Sequence, residues 1–141
     1  GGLKPIQRNG LDYAIVRVPA LTLGQYLRNF VFARLDFVKL DVNGAELPVL
    51  QGGFQAIDRF RPLMLIKFCD RYSALYGYTG DDLKTWLQNS GYEVRGLTGR
   101  LIERQHFPDS VNLLAVPAGH TCLSYLGTGG TSNVVDGGAH E

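Results

Sequence analysis

The chain has 141 residues and is 45% hydrophobic, 11% aromatic and 19% charged, which excludes a disordered or low-complexity polypeptide and fits about one globular domain or part of one. Lys and Arg total 14 against 13 Asp and Glu, a formal net charge of +1, so no basic footprint for nucleic acid or an anionic membrane is present. Apolar runs fall well short of the ~20 residues of a membrane span, and no basic-then-apolar leader is visible; a cytoplasmic protein is expected.

Residues 1–9 are polar with Gly and Pro and read as a frayed end. The β-branched stretch 13–18 predicts a short strand ended by Pro19. Thr22 and Gln25 form a capping-box pair, and Leu23, Tyr26, Leu27 and Phe30 follow at helical spacing, predicting a helix over 23–31. Residues 37–42, Phe-Val-Lys-Leu-Asp-Val, read as a strand buried on both faces, as in a parallel sheet. Asn43-Gly44 would suit a hairpin, but Leu47, Leu50, Phe54, Ile57 and Phe60 recur at steps of three and four, which predicts one helix. Pro48 is tolerated only in its first turn. Gly52-Gly53 weaken its middle by ~1 kcal/mol each, and Arg61-Pro62 ends it.

Residues 63–68 predict a second buried strand, and 72–78 an aromatic loop with Tyr72, Tyr76 and Tyr78. Thr79 caps a helix with Asp81 and Asp82 in its first turn, Leu83, Trp86 and Leu87 on its apolar face and Gly91 just past its end. Strands follow at 92–95 and 111–116, separated by a polar loop. The region 118–132 is rich in Gly, Thr and Ser and reads as a linker. Strand and helix alternate up to the last two strands, so the fold class is α/β with a mostly parallel sheet and an antiparallel hairpin at its edge. The domain spans 12–117, with 118–141 a tail or the start of a second module. The chain opens on Gly1-Gly2 and its one methionine is Met64; the expectation is a piece of a larger domain.

In open α/β sheets ligands bind beyond the carboxyl ends of the strands. Asp41, Asn43, Gly44 and Glu46 follow the first central strand; Lys67, Cys69, Asp70 and Arg71 end the second. Asp41 is either a ligand-binding or general-base carboxylate or the partner of Lys39 or Lys67. Glu46 is either catalytic or a helix-first-turn acid. Lys39 and Lys67 either bind an anion or extend to solvent. Cys69 reads as a buried structural thiol, since no histidine lies near it in sequence. Cys69 and Cys122 are far apart and form no zinc spacing, so neither a disulfide framework nor a metal site is expected. His120 and Cys122 make a weak ligand pair, and His106 reads as a loop residue. The three tyrosines either line a substrate pocket or pack on the Trp86 helix, the latter preferred.

The run Asp36-Phe-Val-Lys-Leu-Asp-Val-Asn-Gly-Ala-Glu-Leu-Pro-Val-Leu-Gln-Gly-Gly53, followed by Arg61-Pro-Leu-Met-Leu-Ile66, resembles the FkbM family of S-adenosylmethionine-dependent methyltransferases. Flanking segments agree in order, from Ile15 to Pro117. The resemblance implies the C-terminal half of a class I, Rossmann-like fold: a seven-stranded sheet with helices on both faces, an antiparallel last strand, and first-half strands lying before Gly1. It implies methyl transfer from S-adenosylmethionine to a hydroxyl of a small molecule, in which the protein aligns the acceptor and removes its proton. Asp41 and Glu46 match the motif's acids. Asn43 stands in place of its first Glu, Lys67 where Glu is usual and Cys69 where His is common, so either the acceptor differs or catalysis is impaired. Asn43 and Lys67 therefore join Asp41 and Glu46 as the candidate catalytic set. The segment 134–141, Val-Val-Asp-Gly-Gly-Ala-His-Glu, resembles the family's first motif, which implies cofactor contacts at Asp136 and Gly138. The expected isolated chain binds cofactor weakly, or is a degenerate, non-catalytic binding module. The apolar edge of the strand at 37–42 predicts self-association.

Overall fold

The computed structural model describes residues 18–28, 33–102 and 110–126. The strand expected at 13–18, the end of the helix expected to reach 31, His106, and Asp136 and Gly138 lie wholly or largely outside them. Helix α1, Leu23–Arg28, opens on the expected Thr22/Gln25 box, with the Gln25 amide donating to Thr22 Oγ1 at 3.0 Å and the Thr22 amide donating to Gln25 Oε1 at 2.9 Å. The elements that follow are β1 (Phe37–Leu40), α2 (Glu46–Gly52), α3 (Phe54–Phe60), β2 (Leu63–Cys69), α4 (Asp70–Ser73), a 3-10 turn (Ala74–Tyr76), α5 (Gly80–Asn89), β3 (Tyr92–Gly96), β4 (Ser110–Pro117) and α6 (Leu123–Leu126).

The four strands form one sheet in the order β1-β2-β4-β3. β1 and β2 are parallel, in the register Phe37 to Leu63 through Leu40 to Ile66. β4 is antiparallel to both β2 and β3, so three strands run one way and the last runs against them. β3 and β4 are antiparallel, as expected for two strands with no helical pattern between them in the sequence, but the pair folds inward. The α5 crossover sets β3 one strand away from β2, and β4 returns into the gap.

Side-chain alternation sorts the sheet into two unlike faces. Leu40, Met64, Ile66, Phe68, Val94, Leu113 and Ala115 join Leu47, Leu50, Ile57, Leu83 and Leu87 in one buried core. The other face carries Phe37, 53% exposed, with Leu63, Leu65 and Leu114 half-buried and Lys39 and Lys67 exposed. Burial of both faces, expected from the apolar runs at 37–42 and 63–68, is therefore corrected. Apolar character records what a strand can bury, and among the described residues the second face is only partly covered.

The helix expected across 47–60 is two helices meeting at Gly53. A Cβ at Gly53 would lie 2.9 Å from Leu23 Cδ2. The glycine pair thus admits the close approach of α1, and the backbone breaks where it does so. Residues 72–78 are mostly helical turns rather than a loop. The region expected as linker begins with a turn and the short helix α6, and His120 Nδ1 accepts the Cys122 amide at 3.1 Å.

Two clips hold the outer elements. Thr79 and Asp82 form a reciprocal capping box on α5: the Asp82 amide donates to Thr79 Oγ1 at 3.3 Å and the Thr79 amide donates to Asp82 Oδ2 at 2.8 Å. Arg61, in the left-handed region at φ 50°, sends its guanidinium to the carbonyls of Ser90 and Gly91 and lies 4.4 Å over the Tyr92 ring. Trp86 meets Phe54 edge-on at 6.1 Å between ring centroids. No described helix is long and apolar enough to cross a membrane.

Candidate functional site

Parallel pairing of β1 and β2 brings their carboxyl ends side by side, and antiparallel pairing of Cys69 with Ser110 adds the start of β4. At that end lies an open cavity of about 230 Å³ lined by Asp41, Asn43, Glu46, Lys67, Cys69, Arg71, Tyr72 and Ser110. All four candidate residues named from the central motif and the next strand, Asp41, Asn43, Glu46 and Lys67, therefore share one crevice. Arg71, expected at this strand end, lines the crevice as well. Ser110 was not among the expected site residues; its position follows from strand register and has no local signal in the sequence.

The turn after β1 is built from unusual backbone. Asn43 has φ 51° and Gly44 φ 95°, conformations that asparagine and glycine tolerate best. A Cβ on Gly44 would lie 2.3 Å from the Tyr72 carbonyl oxygen. The turn is thus pressed onto α4, which fixes one cavity wall against the other.

The two acidic residues have different surroundings. Glu46 is 1% exposed. Its Oε1 accepts the Val42 amide at 3.0 Å and the Gly44 amide at 3.3 Å; its Oε2 accepts the Tyr78 hydroxyl at 3.2 Å. Tyr78 Oη in turn accepts the Leu47 amide at 3.4 Å. Burial, reinforced by the neighbouring Glu46 carboxylate, holds the Tyr78 hydroxyl protonated far above the ordinary tyrosine range. Tyr78 packs on Phe68, with ring centroids 6.3 Å apart, in the same buried cluster as Leu83 and Leu87 of the Trp86 helix. Tyr72 lines the cavity.

Asp41 follows the last residue of β1 and keeps a side chain 36% exposed. Its Oδ2 lies 3.9 Å from Lys39 Nζ and 3.8 Å from Lys67 Nζ. Both separations exceed a hydrogen bond, so these are loose charge pairs. Cys69 is half-buried, free and part of the cavity lining, which corrects the expected buried thiol. No cluster of metal-ligating side chains occurs among the described residues.

The lining supplies a carboxylate, an ammonium, a guanidinium, a thiol, an amide and hydroxyls, the groups that hold a small polar molecule. Among the described residues, the glycine turn after β1 is closed by Tyr72 and its Gly44 amide is committed to Glu46, so this turn is not a backbone cradle for a nucleoside. The expected nucleoside-side contacts Asp136 and Gly138 lie outside the described residues.

A model of the FkbM methyltransferase domain matches residues 4–94. The match contains β1, β2 and every cavity residue except Ser110; β4, which also carried part of the resemblance, lies beyond it. The chain matches no curated protein and no solved structure. With well over half of its length covered by that one model, the chain belongs to the FkbM methyltransferase domain family.

Proposed function

We propose that the chain provides the acceptor side of an S-adenosylmethionine-dependent O-methyltransferase acting on a small hydroxylated molecule. The observation that carries this reading is the convergence of Asp41, Asn43, Lys67 and Arg71 on one cavity at the carboxyl ends of β1 and β2, within the family match. Three co-directional strands with an antiparallel last strand support a class I, Rossmann-like arrangement.

Methyl transfer to a hydroxyl forms an oxygen–carbon bond, breaks the sulfonium's sulfur–carbon bond and releases the hydroxyl proton. The cofactor supplies the electrophilic methyl group; this chain's residues orient the acceptor and take the proton. Asp41 is the acceptor of that proton, because it is the lining carboxylate whose oxygens are not already filled by backbone donors. Glu46 is a positioning residue: its oxygens hold the Val42–Gly44 turn and Tyr78. Lys67, Asn43 and Arg71 orient the acceptor.

The test is transfer of a labelled methyl group from S-adenosylmethionine to hydroxylated small molecules by the complete protein, with calorimetric titration of the cofactor into the 141-residue chain alongside. Label transfer, together with weak cofactor binding by the chain, is expected. Absence of transfer to every acceptor favours the degenerate, non-catalytic module, consistent with Glu46 being unavailable as a base. Tight cofactor binding by the chain would contradict an acceptor-only role.

A further inference from the structure

The crevice wall that carries Asp41 and Asn43 is held from a distance. The stretch 41–45 lies between the end of β1 at Leu40 and the start of α2 at Glu46. Asn43 sits there at φ 51°, a left-handed conformation that persists only where the surroundings over-determine it. Within the turn the Ala45 amide donates to the Val42 carbonyl at 3.3 Å, a long bond. The firmer support comes from Glu46, whose Oε1 accepts the Val42 and Gly44 amides at 3.0 and 3.3 Å. Both amides load the same oxygen. A glutamate side chain loses much rotamer freedom when it is fixed, so this support is only as firm as the hold on the carboxylate itself.

Tyr78 provides that hold. Its hydroxyl donates to Glu46 Oε2 at 3.2 Å and accepts the Leu47 amide at 3.4 Å. Its ring is 8% exposed and packs on Phe68 of β2, so the hydroxyl stands on an arm anchored in the core. Burial keeps it protonated far above the ordinary tyrosine range, and it stays a donor to the carboxylate at neutral pH. Tyr78 is not among the residues lining the cavity. It acts on a ligand there only through Glu46. The start of the same segment meets the turn as well, because the Tyr72 carbonyl leaves no room for a Cβ at Gly44. Residues 72–78 therefore brace the turn at two places, Gly44 and Glu46.

Given the reading of this crevice as the acceptor site, we propose that Tyr78 is a positioning residue for methyl transfer: its hydroxyl locks Glu46, and the locked carboxylate holds the turn so that Asn43 and the preceding Asp41 meet the acceptor in one fixed arrangement. Alignment of reacting groups is worth orders of magnitude in rate, so a contact outside the crevice governs turnover within it. Hydrogen bonds in such a chain depend on one another; deleting the outermost one loosens the turn although every group lining the cavity is kept. The effect belongs to the acceptor side, so affinity for S-adenosylmethionine does not depend on it.

The test compares Tyr78→Phe with Thr22→Ala. Tyr78→Phe keeps the ring on Phe68 and deletes the oxygen. Thr22→Ala removes the cap of α1, beside Gly52 at the far end of α2 from Glu46, with a loss of global stability of similar size. Amide hydrogen exchange in the 141-residue chain reads the turn. Tyr78→Phe should speed exchange at Val42 and Gly44 by about tenfold relative to the core strands, and Thr22→Ala should not. In the complete protein, with the hydroxylated acceptor that takes up label, Tyr78→Phe should lower kcat/KM for that acceptor about tenfold or more. KM for S-adenosylmethionine should stay as in the parent, and Thr22→Ala should keep the parent's turnover. A cycle with Glu46→Gln checks the route: Tyr78→Phe should add little to the loss in Glu46→Gln, because both break one chain of contacts. Unchanged exchange at Val42 and Gly44, an equal fall of turnover in Thr22→Ala, or full additivity with Glu46→Gln would overturn the proposal. Exchange also separates it from the underlying reading. A loosened turn in a complete protein that methylates no acceptor refutes the enzyme and leaves the brace; undiminished turnover by Tyr78→Phe with a loosened turn refutes the positioning role and leaves methyl transfer standing.

Discussion

Two tyrosines show how the same hydroxyl has opposite consequences in different surroundings. Tyr78 is partnered on both sides, by Glu46 Oε2 and the Leu47 amide. Tyr78→Phe should cost about 1–2 kcal/mol, because it strips partners from buried groups. Tyr92 is 3% exposed, and its hydroxyl finds no hydrogen-bond partner among the described residues. Tyr92→Phe should therefore raise stability by about 1 kcal/mol. Burial pushes the Tyr92 hydroxyl up to about 12 from 10.0, against the pull of the Arg61 guanidinium. The unfolded chain ionises first as pH rises, so stability present below pH 10.0 drains away as the pH climbs to about 12. Urea denaturation across that interval should show a shallower loss in Tyr92→Phe than in the parent. Glu46→Ala should cost about 1–3 kcal/mol by orphaning two amides and a hydroxyl. The motif made Glu46 and Asp41 look equivalent. The division of labour between them depends on Tyr78, 32 residues away, which no local pattern announces.

At the scale of elements, local chemistry was legible and long-range fit was not. The Thr79 cap, the Gly91 stop and the turn at Asn43-Gly44 could be read because the residues responsible are neighbours in sequence. Thr79→Ala should destabilise α5 by about 1 kcal/mol. The Thr79 hydroxyl and amide hold the Asp82 carboxyl below its ordinary value of 3.8, so the carboxylate half of the box is complete above that pH and is lost as the pH falls further, while the Asp82 amide keeps its bond to the Thr79 hydroxyl. The break at Gly53 was not legible, because it answers to Leu23 in another helix. Gly44 is more constrained still. Gly44→Ala puts a methyl group into the Tyr72 carbonyl and strains a φ of 95°, and should cost about 2–3 kcal/mol, enough to loosen the crevice walls. Thermal denaturation of both variants measures these losses.

For the whole molecule, the α/β class and the crevice between parallel strand ends followed from element order and apolar runs, because one right-handed crossover leaves few alternatives. The order β1-β2-β4-β3 and the unequal faces did not, since pairing order is decided by which gaps are left to fill. β1 pairs with β2 and with no other described strand, and it presents Phe37 at 53% exposure. An unpaired apolar edge favours association. Sedimentation of the chain should depend on concentration, and Phe37→Lys should reduce that dependence; a concentration-independent monomer would contradict it.

Asp41 is the proposed acceptor of the hydroxyl proton, in a crevice whose turn Glu46 holds. The most direct test of that role is methyl transfer by the complete protein and by its Asp41→Asn variant, with thermal midpoints compared. Unchanged folding and a loss of kcat of about a hundredfold or more are expected. Undiminished turnover in a folded Asp41→Asn protein would contradict it.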